Sequence, residues 1–522
     1  MALRRFPVGV QDFEKIRTEG FVYVDKTELI YKLANHYGDA MFLSRPRRFG
    51  KSLLCSTLRH YFQGHKELFR GLAIERLEKN WTEYPVLHFD MSKCKSDDPN
   101  GVEQSLQSLL RVFEERYECV GLEAQNNYGD RLRRIIETAH KRTGNRAVLI
   151  FDEYDSPVLN VIDEPEKLAA IKSLYNSFYG PVKNMGDHLR FVLLTGITKF
   201  SQMSIFSTIN NLSNISMDPE WEGLCGITAE ELERDFKEDI AQLAQQLKLS
   251  PEQTLQKLRD RYDGYHFGPK MIDVYNPFSI VNTFSKMMLK DYWFTSATPS
   301  ALIKILNKYN FKLTDIENKR VYESSFDQPF DNMGSALHIL YQSGYLTIKH
   351  YDFERNVYTL GIPNGEVYDG LYSCLMPLYL SPNPDDNTSL LMTVQDAMHD
   401  DDIDAALTAV QSYLTALPYN LSNKTERDFE TILKVLFDCI GIKAETEVRN
   451  ARGRCDVVLK SRTTIYVMEL KISTTATVDE ALAQIDEKNY LIPYWDDPRR
   501  KVKVGVTVDP EARTIKEWKV VE

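Results

Sequence analysis

The chain has 522 residues, of which 43% are hydrophobic and 27% are charged. This length exceeds what a single hydrophobic core supports, so it indicates a soluble protein of about three structural units. The formal net charge of −11 counts against a protein that coats nucleic acid over its whole surface, because such binding depends on neutralising phosphates, although an acidic body can still carry a local basic groove.

The chain lacks the features of a membrane or secreted protein. It contains no apolar run of about 20 residues, the length that spans a bilayer. The start, MALRRFPVGVQDF, has a basic pair without an apolar stretch behind it. The seven cysteines are scattered without a Cys-x-x-Cys pair, which counts against a disulfide framework and a structural zinc site. We therefore expect a cytoplasmic protein without a membrane partner.

Between residues 20 and 290, short apolar runs alternate with amphipathic segments. Near-continuous apolar runs are typical of strands in a parallel sheet that is covered on both faces. The predicted strands are Ala40–Ser44, Pro85–Ser92, Ala147–Asp155 and Arg190–Thr198, and the predicted helices include Lys51–Phe62 and Gln104–Tyr117. This alternation indicates an α/β fold with a doubly wound, mostly parallel sheet.

The turn between the first strand and its helix reads RPRRFGKS. A phosphate-binding loop follows the pattern G-x-x-x-x-G-K-[ST], so Gly50, Lys51 and Ser52 fit, while Arg45 stands at the first glycine position. In such a loop the glycine lets the backbone approach the phosphates. The lysine neutralises the β- and γ-phosphates, and the serine hydroxyl binds Mg²⁺. The pattern favours a nucleotide-binding loop over a basic strand-to-helix turn.

Further candidates for this site lie in the loop and at two later strand ends. The run AVLIFDEYD contains Asp152, which would hold Mg²⁺, and Glu153, which would polarise the attacking water as general base. Thr195, at the end of the next strand, would sit between the two acids, although a plain Thr-rich strand end explains it equally well. Arg47 and Arg48 are candidates for contacts with phosphate, sugar or a neighbouring subunit.

After residue 295 the pattern changes. The region 296–415 is mainly helical, and its stretch Leu380–Ser389, rich in Pro, Asn and Asp, predicts a loop. The remaining residues predict a compact α/β unit. Its predicted elements are helix Thr425–Cys439, strands Lys443–Val448, Cys455–Lys460 and Ile465–Lys471, helix Val478–Asn489 and strand Val502–Val508.

Two of these strands form a hairpin that carries Asp456, Glu469 and Lys471. Alternation along a strand places Glu469 and Lys471 on one face, and hairpin pairing brings Asp456 beside them. This set suits metal-assisted phosphodiester hydrolysis, in which the acids bind Mg²⁺ and the lysine orients the water or offsets charge on the phosphate. A helical acid would complete the site, and Glu426 and Glu430, which share one face of the predicted helix, are both available. A hairpin whose charged residues face solvent is the alternative.

Basic residues surround this hairpin. They could hold phosphates or simply be solvated, and the sequence favours neither. They are Arg449, Arg452, Arg454, Lys460, Arg462 and Lys471.

Six blocks between residues 5 and 285 resemble the AAA-ATPase-like family of bacterial P-loop proteins: FVYVDKTELI, FLSRPRRFGKSLL, IFDEYDSPV, LLTGITKFSQMSIFSTINNL, YDGYHF and VYNPFSI. The loop of that family commonly reads R-P-R-R-F-G-K-S, which makes Arg45 an expected feature. The resemblance implies a P-loop ATPase core of the additional-strand type that binds ATP and Mg²⁺. It also implies the roles given above for Lys51, Ser52, Asp152 and Glu153.

Residues 415–522 resemble the PD-(D/E)XK nuclease superfamily. The resemblance rests on the D-x₁₂-E-x-K spacing of Asp456, Glu469 and Lys471 within the predicted order of helices and strands. It implies a restriction-endonuclease-like α/β domain with a supporting glutamine, Gln484. It also favours Glu426 over Glu430 as the helical acid, because ERDF begins the predicted helix as the motif of the superfamily does. Cys455 stands where the superfamily name has a proline, a position that varies widely. Such a domain is the usual companion of an AAA-ATPase-like domain.

These patterns predict three regions: a P-loop domain over 1–295, a mainly helical connecting region over 296–415 and a nuclease-like domain over 416–522. The predicted function is an ATP-binding or ATPase module coupled to a metal-dependent nuclease. The alternative is a nucleotide-dependent switch or interaction ATPase whose C-terminal domain binds without cutting. Nucleic acid, with DNA as the first candidate, is the expected partner, and oligomerisation through the ATPase domain stays open.

Overall fold

A computed structural model describes most of the chain. The described residues are 4–35, 40–94, 98–119, 127–161, 164–198, 212–296, 319–326, 337–379, 384–416, 425–450 and 452–522. They form two compact units, the first from the described residues up to 296 together with 319–367, and the second from those after 367.

The first unit is built around a five-stranded sheet with the order β2-β3-β4-β1-β5. Its strands are β1 (Ala40–Ser44), β2 (Val86–Asp90), β3 (Ala147–Asp152), β4 (Leu189–Gly196) and β5 (Leu212–Asn214). All neighbouring strands are parallel. The four predicted strands are present, three of them with shortened ends, and the mostly parallel α/β fold is confirmed.

Strand β4 lies between β1, which leads into the GKS turn, and β3, which ends in Asp152. This is the additional strand that the family resemblance implies. In the register of the sheet, Leu43 pairs with Thr195, and Asp90 pairs with Asp152. Because parallel strands end at the same edge, the loop after β1 and the acids after β3 meet at one edge of the sheet.

The described residues of the first unit also form α-helices. They are α1 (Phe13–Thr18), α2 (Thr27–Ala34), α3 (Lys51–Phe62), α4 (Ile74–Leu77), α5 (Pro99–Arg116), α6 (Tyr128–Thr143), α7 (Ser156–Asn160), α8 (Pro165–Tyr179), α9 (Ala229–Asp235), α10 (Lys237–Leu247), α11 (Pro251–Tyr262), α12 (Pro277–Lys286), α13 (Tyr292–Ser296), α14 (Glu323–Phe326) and α15 (Leu337–Ser343). Helix α3 has the predicted bounds. Helix α5 begins earlier than the predicted Gln104, because Pro99 suits the first helical position, where no N–H donor is needed.

Two small antiparallel sheets complete the first unit. One pairs β6 (Ile227–Thr228) with β7 (Val274–Tyr275), and the other has the order β8-β10-β9. The strands of the second are β8 (Lys319–Tyr322), β9 (Thr347–Asp352) and β10 (Val357–Gly361).

The boundary between the units falls within helix α16 (Gly365–Tyr379), after Val367. Two further helices follow, α17 (Pro384–His399) and α18 (Ile403–Ala416). The predicted loop is wrong from Pro384 onward, because proline suits the first helical turn and the acids after it favour the positive end of the helix dipole. Residues 380–383 of that loop lie outside the described residues.

The second unit contains a five-stranded sheet with the order β11-β12-β13-β14-β15, in which only β13 and β14 are parallel. Its strands are β11 (Lys443–Arg449), β12 (Arg454–Lys460), β13 (Thr464–Ile472), β14 (Arg500–Asp509) and β15 (Thr514–Val521), with helices α19 (Glu426–Cys439) and α20 (Val478–Glu487). Capping boxes begin both helices. Every element predicted for this segment is present, and β15 is additional. Within the described ranges, no helix is long and apolar enough to cross a membrane.

Candidate nucleotide and nuclease sites

The GKS turn wraps around the amino end of helix α3. Gly50 caps the helix with a φ of 94°, a left-handed conformation that glycine adopts without steric penalty. Lys51 is only 4% exposed. Its Nζ donates to the carbonyl oxygens of Arg45 at 2.8 Å and Pro46 at 3.0 Å. The loop thus holds the ammonium group of Lys51 at the amino end of α3, where the helix dipole also favours anions.

Arg45 anchors this loop to a distant part of the chain. Its guanidinium group is 1% exposed and lies 4.3 Å from the ring centroid of Phe267. It donates to the carbonyl oxygens of Ser44 at 2.8 Å, Ser216 at 2.7 Å and Trp221 at 2.9 Å. The arginine at the first glycine position therefore fastens the loop to the segment after β5.

A cleft of about 590 Å³ lies at the loop. Its lining combines cationic loop residues, hydroxyl groups and one acid. The lining residues are Gln11, Arg47, Arg48, Gly50, Lys51, Ser52, Leu53, Ser92, Glu153, Ser156, Asn160 and Trp293. All five loop residues predicted to bind nucleotide thus face the same cleft. Its positive charge and the helix terminus suit a polyphosphate.

The polar residues at the ends of β3 and β4 have different surroundings. Asp152 is 3% exposed and accepts a hydrogen bond from Oγ1 of Thr195 at 2.6 Å. Thr195 is buried and holds Asp152, whereas Glu153 lines the cleft. The φ of Glu153 is 49°, a left-handed conformation that is uncommon for any residue but glycine. Burial raises the pKa of Glu153 and the charge of Lys51 opposes this rise, so the carboxyl group suits proton transfer.

Two residues that the sequence did not assign complete the surroundings of the cleft. Asp155 is buried and accepts hydrogen bonds from the backbone N–H groups of Ile197 at 2.9 Å and Thr198 at 2.7 Å, which ties the chain after β3 to the end of β4. Trp293 lines the cleft, and its Nε1 donates to the carbonyl of Arg47 at 3.0 Å. The sequence contains a signal that could have identified Asp155, because it is the third acid of the run FDEYD. Trp293 has none, because its partner lies 246 positions away.

The second unit brings the predicted acids and lysine together. Antiparallel pairing of β12 with β13 sets Asp456 beside Glu469, and both are buried. Asp456 accepts a hydrogen bond from the backbone N–H of Leu470 at 2.8 Å. Nζ of Lys471 donates to Oε1 of Glu469 at 2.8 Å. The predicted convergence of the two acids and the lysine on one face is therefore present.

Two helices extend this group. Gln484 on α20 donates a hydrogen bond to Oε1 of Glu469. Glu426 on α19 accepts one from the backbone N–H of Ile472 at 3.0 Å, so it lies at the end of β13. Glu430 is buried, and its Oε2 has no hydrogen-bond partner among the described residues. Helix α19 thus supplies the preferred acid and also the one that we ranked second.

Burial shifts the pKa values of these groups. Burial, with added repulsion from Asp456, raises the pKa of both Glu430 and Glu469 to about 7. Burial lowers the pKa of Lys471, but its hydrogen bond to Glu469 and the charge of Asp456 raise it overall. At neutral pH the group therefore combines a cationic lysine with carboxyl groups that are close to their titration midpoint.

Glutamates pair with part of the basic neighbourhood. Arg454 lies 3.0 Å from a carboxylate oxygen of Glu447, and Lys460 lies 2.9 Å from one of Glu445. Arg454 is nevertheless exposed, as are Arg449, Arg452 and Arg462. These arginines offer positive charge to phosphate groups of a ligand.

The parallel sheet with its GKS loop and the buried acids and lysine define a P-loop ATPase-like protein with an appended nuclease-like domain. Comparison with known families gives the same result: residues 7–206 match the model described as predicted AAA-ATPase, and residues 424–518 match that of the PD-(D/E)XK nuclease superfamily. Each of these two segments is thus similar to one of these families.

One relative spans nearly the whole chain. The "Uncharacterized protein in vnfD 5'region" of Azotobacter chroococcum mcd 1 is 29% identical over 526 residues, which cover 99% of this chain and 98% of that protein. Among solved structures, Cdc6p from Pyrobaculum aerophilum is 12% identical and covers 72% of this chain and 95% of its own, with a TM-score of 0.25.

Replacing Arg45 with glycine, which restores the usual loop pattern, should destabilise the protein. The change removes three hydrogen bonds, two of which are buried, so we expect the free energy of unfolding to fall by about 2–4 kcal/mol. Arg47→Ala, at an exposed arginine of the same loop, is the matched control and should change it by less than about 0.5 kcal/mol. Urea denaturation measures both. Unchanged or increased stability of Arg45→Gly would contradict the anchoring role.

The pKa of Glu469 predicts how cation binding at the second group depends on pH. Below a pKa of about 7, a divalent cation must displace a proton from this carboxyl group. We expect Mn²⁺ to bind about tenfold more tightly at pH 8 than at pH 6. Calorimetry on the Asp152→Asn variant, in which the first unit has lost its buried candidate cation ligand, measures this. Glu469→Gln should lose both the affinity and its pH dependence, and equal wild-type affinity at the two pH values would refute the prediction.

Proposed function

We propose that the protein binds Mg²⁺–ATP at the GKS loop and hydrolyses phosphodiester bonds of nucleic acid at the group formed by Asp456, Glu469 and Lys471. The observation that carries this proposal is the convergence of two buried carboxylates, a lysine and Gln484 from three separate elements of the second unit. Buried charged side chains destabilise a fold unless their charges are offset. The presence of this group in the second unit therefore supports a catalytic role.

The residues of the second unit fit a hard divalent cation such as Mg²⁺. All donors are oxygens, which Mg²⁺ prefers, and Oε2 of Glu469 is buried without a hydrogen-bond partner among the described residues. Asp456 and Glu469 would hold the ion. When bound, it supplies Lewis acidity and lowers the pKa of a coordinated water.

The neighbouring side chains have separate tasks. Lys471, cationic at neutral pH, offsets negative charge on the phosphate and orients the attacking water. Gln484 fixes the rotamer of Glu469 through their hydrogen bond. Glu426 is anchored to the backbone of Ile472, which keeps its carboxylate beside the end of β13.

The cleft of the first unit fits a nucleoside triphosphate. Lys51, Arg47 and Arg48 face it and would neutralise the phosphates. Ser52 and Asp152 would hold Mg²⁺, and Glu153 would accept a proton from the attacking water. These roles are consistent with the predicted AAA-ATPase family of this domain.

A second, mostly apolar pocket of about 110 Å³ shares Gly50 and Leu53 with the cleft. Its other lining residues include Val22, Val24 and Ile227. A flat, apolar base fits such surroundings better than a charged group does. The adjoining pockets therefore support a ligand with a polyphosphate at one end and a nucleobase at the other.

Helix α16 contributes residues to both units. Glu366 on α16 accepts hydrogen bonds from Oγ of Ser279 and the backbone N–H of Trp293, both at 2.7 Å, and Trp293 lines the cleft. Further along the same helix, the ring of Tyr372 lies 5.6 Å from Nζ of Lys434 on α19. We infer that nucleotide binding in the first unit alters cleavage by the second.

A nuclease assay on purified full-length protein tests the proposal. DNA and RNA, single- and double-stranded, are incubated with Mg²⁺ or Mn²⁺, with and without ATP. We expect cleavage by the wild type, reduced at least about 100-fold in Lys471→Ala and Asp456→Ala. Lys519→Ala, at an exposed lysine of the same unit, should retain it.

The same assay separates the nucleotide site from the nuclease site. Lys51→Ala should abolish ATP binding and make cleavage independent of ATP, whereas Lys66→Ala, at an exposed lysine of the first unit, should behave as wild type. Protein that cuts no substrate under any of these conditions would refute the nuclease proposal. ATP binding that survives Lys51→Ala would refute the nucleotide proposal.

A further inference from the structure

Three donor groups of different chemistry converge behind the GKS loop. Cys55 on α3, His88 on β2 and Asp152 on β3 place a sulfur, an imidazole nitrogen and a carboxylate oxygen within 4.8 Å of one another. Cys55 and Asp152 are buried and His88 is half-buried. Residues so far apart in the sequence meet only because α3 packs against the strands that carry the other two.

The imidazole of His88 supports a ligand at this point. Its Nε2 is buried and has no hydrogen-bond partner among the described residues. Buried polar atoms without partners destabilise a fold, so each one needs an explanation. His88 also lines a cleft of about 500 Å³ beside β2. The cleft therefore adjoins the cluster at His88.

We propose that Cys55, His88 and Asp152 bind a thiophilic divalent cation of the Zn²⁺ class. Zn²⁺ accepts sulfur, nitrogen and oxygen donors and commonly takes three protein ligands with a water. Mg²⁺ prefers six oxygens, so this donor set selects against it. On binding, the thiol of Cys55 releases its proton to solvent and its sulfur bonds to the cation, with no change of oxidation state.

Occupation of this site affects the nucleotide site, a consequence that rests on the function proposed above. Asp152 belongs to both sites, and Cys55 lies one helical turn after Lys51. When Asp152 coordinates this cation, its carboxylate is no longer available to the Mg²⁺ that accompanies the nucleotide. Zn²⁺ therefore acts as an inhibitor of Mg²⁺–ATP binding.

Cobalt substitution tests the site without any nucleotide. Full-length protein is stripped with a chelator and titrated with Co²⁺, whose thiolate charge-transfer absorption reports a sulfur ligand. We expect one equivalent of Co²⁺ to give this absorption, Zn²⁺ to displace it, and Mg²⁺ to leave it unchanged. Cys55→Ser and His88→Gln should each weaken Co²⁺ binding at least about tenfold, with the absorption lost in Cys55→Ser. Cys225→Ser, at another buried cysteine of the same unit, should retain both the Co²⁺ affinity and the thiolate absorption.

The outcomes separate the two proposals. No thiolate absorption in the wild type, or its persistence in Cys55→Ser, overturns the cation site and leaves the ATP proposal standing. Circular dichroism checks the fold of each variant. If Cys55→Ser or His88→Gln misfolds, Co²⁺ binding by the remaining variant tests the site. In a second measurement, Zn²⁺ should weaken the binding of an ATP analogue at least about tenfold in the wild type and not in Cys55→Ser. Equal inhibition of both proteins overturns the regulatory consequence.

Discussion

Burial of charged groups is the constraint on which both sites depend. Lys51 and Asp152 in the first unit, and Asp456 and Glu469 in the second, are almost completely removed from water. An isolated buried charge is strongly unfavourable, so each group requires a nearby dipole or opposite charge. Loop carbonyls hold Lys51, Thr195 holds Asp152, and Lys471 with Gln484 holds Glu469. The contacts that make burial tolerable also fix the positions of the functional atoms.

Arg45 shows how this constraint shaped the phosphate loop. A glycine at its position would leave the loop free to change conformation, whereas the buried guanidinium group fastens it to the carbonyls of Ser216 and Trp221. Closer to the lysine, Gly50 and Arg48 both have positive φ, a left-handed conformation that glycine adopts without steric penalty. The buried arginine therefore fixes the start of the loop, and the glycine permits its turn into helix α3.

The two units assemble their sites in different ways. In the first, parallel strands end at one edge, so the loop after β1 and the two acids after β3 meet there. In the second, antiparallel pairing of β12 with β13 sets the acids side by side, and helices α19 and α20 add residues from either end of the segment. Both arrangements place a lysine beside carboxylates, and in the second unit this proximity raises the pKa of Lys471.

Local patterns in the sequence determined the strands, most helices and the functional residues that lie within a few positions of one another. Apolar runs predicted β1 to β4, and the spacing of Glu469 and Lys471 placed them on one face, because these properties depend only on backbone periodicity. Only the tertiary structure decided the partners of Arg45, the contact of Trp293 with the loop, the position of Glu430 and the meeting of Cys55 with His88. Those contacts join residues that are distant in the chain, and they depend on how helices pack on the sheet and on the order of its strands. Periodicity along a single segment carries no information about that order.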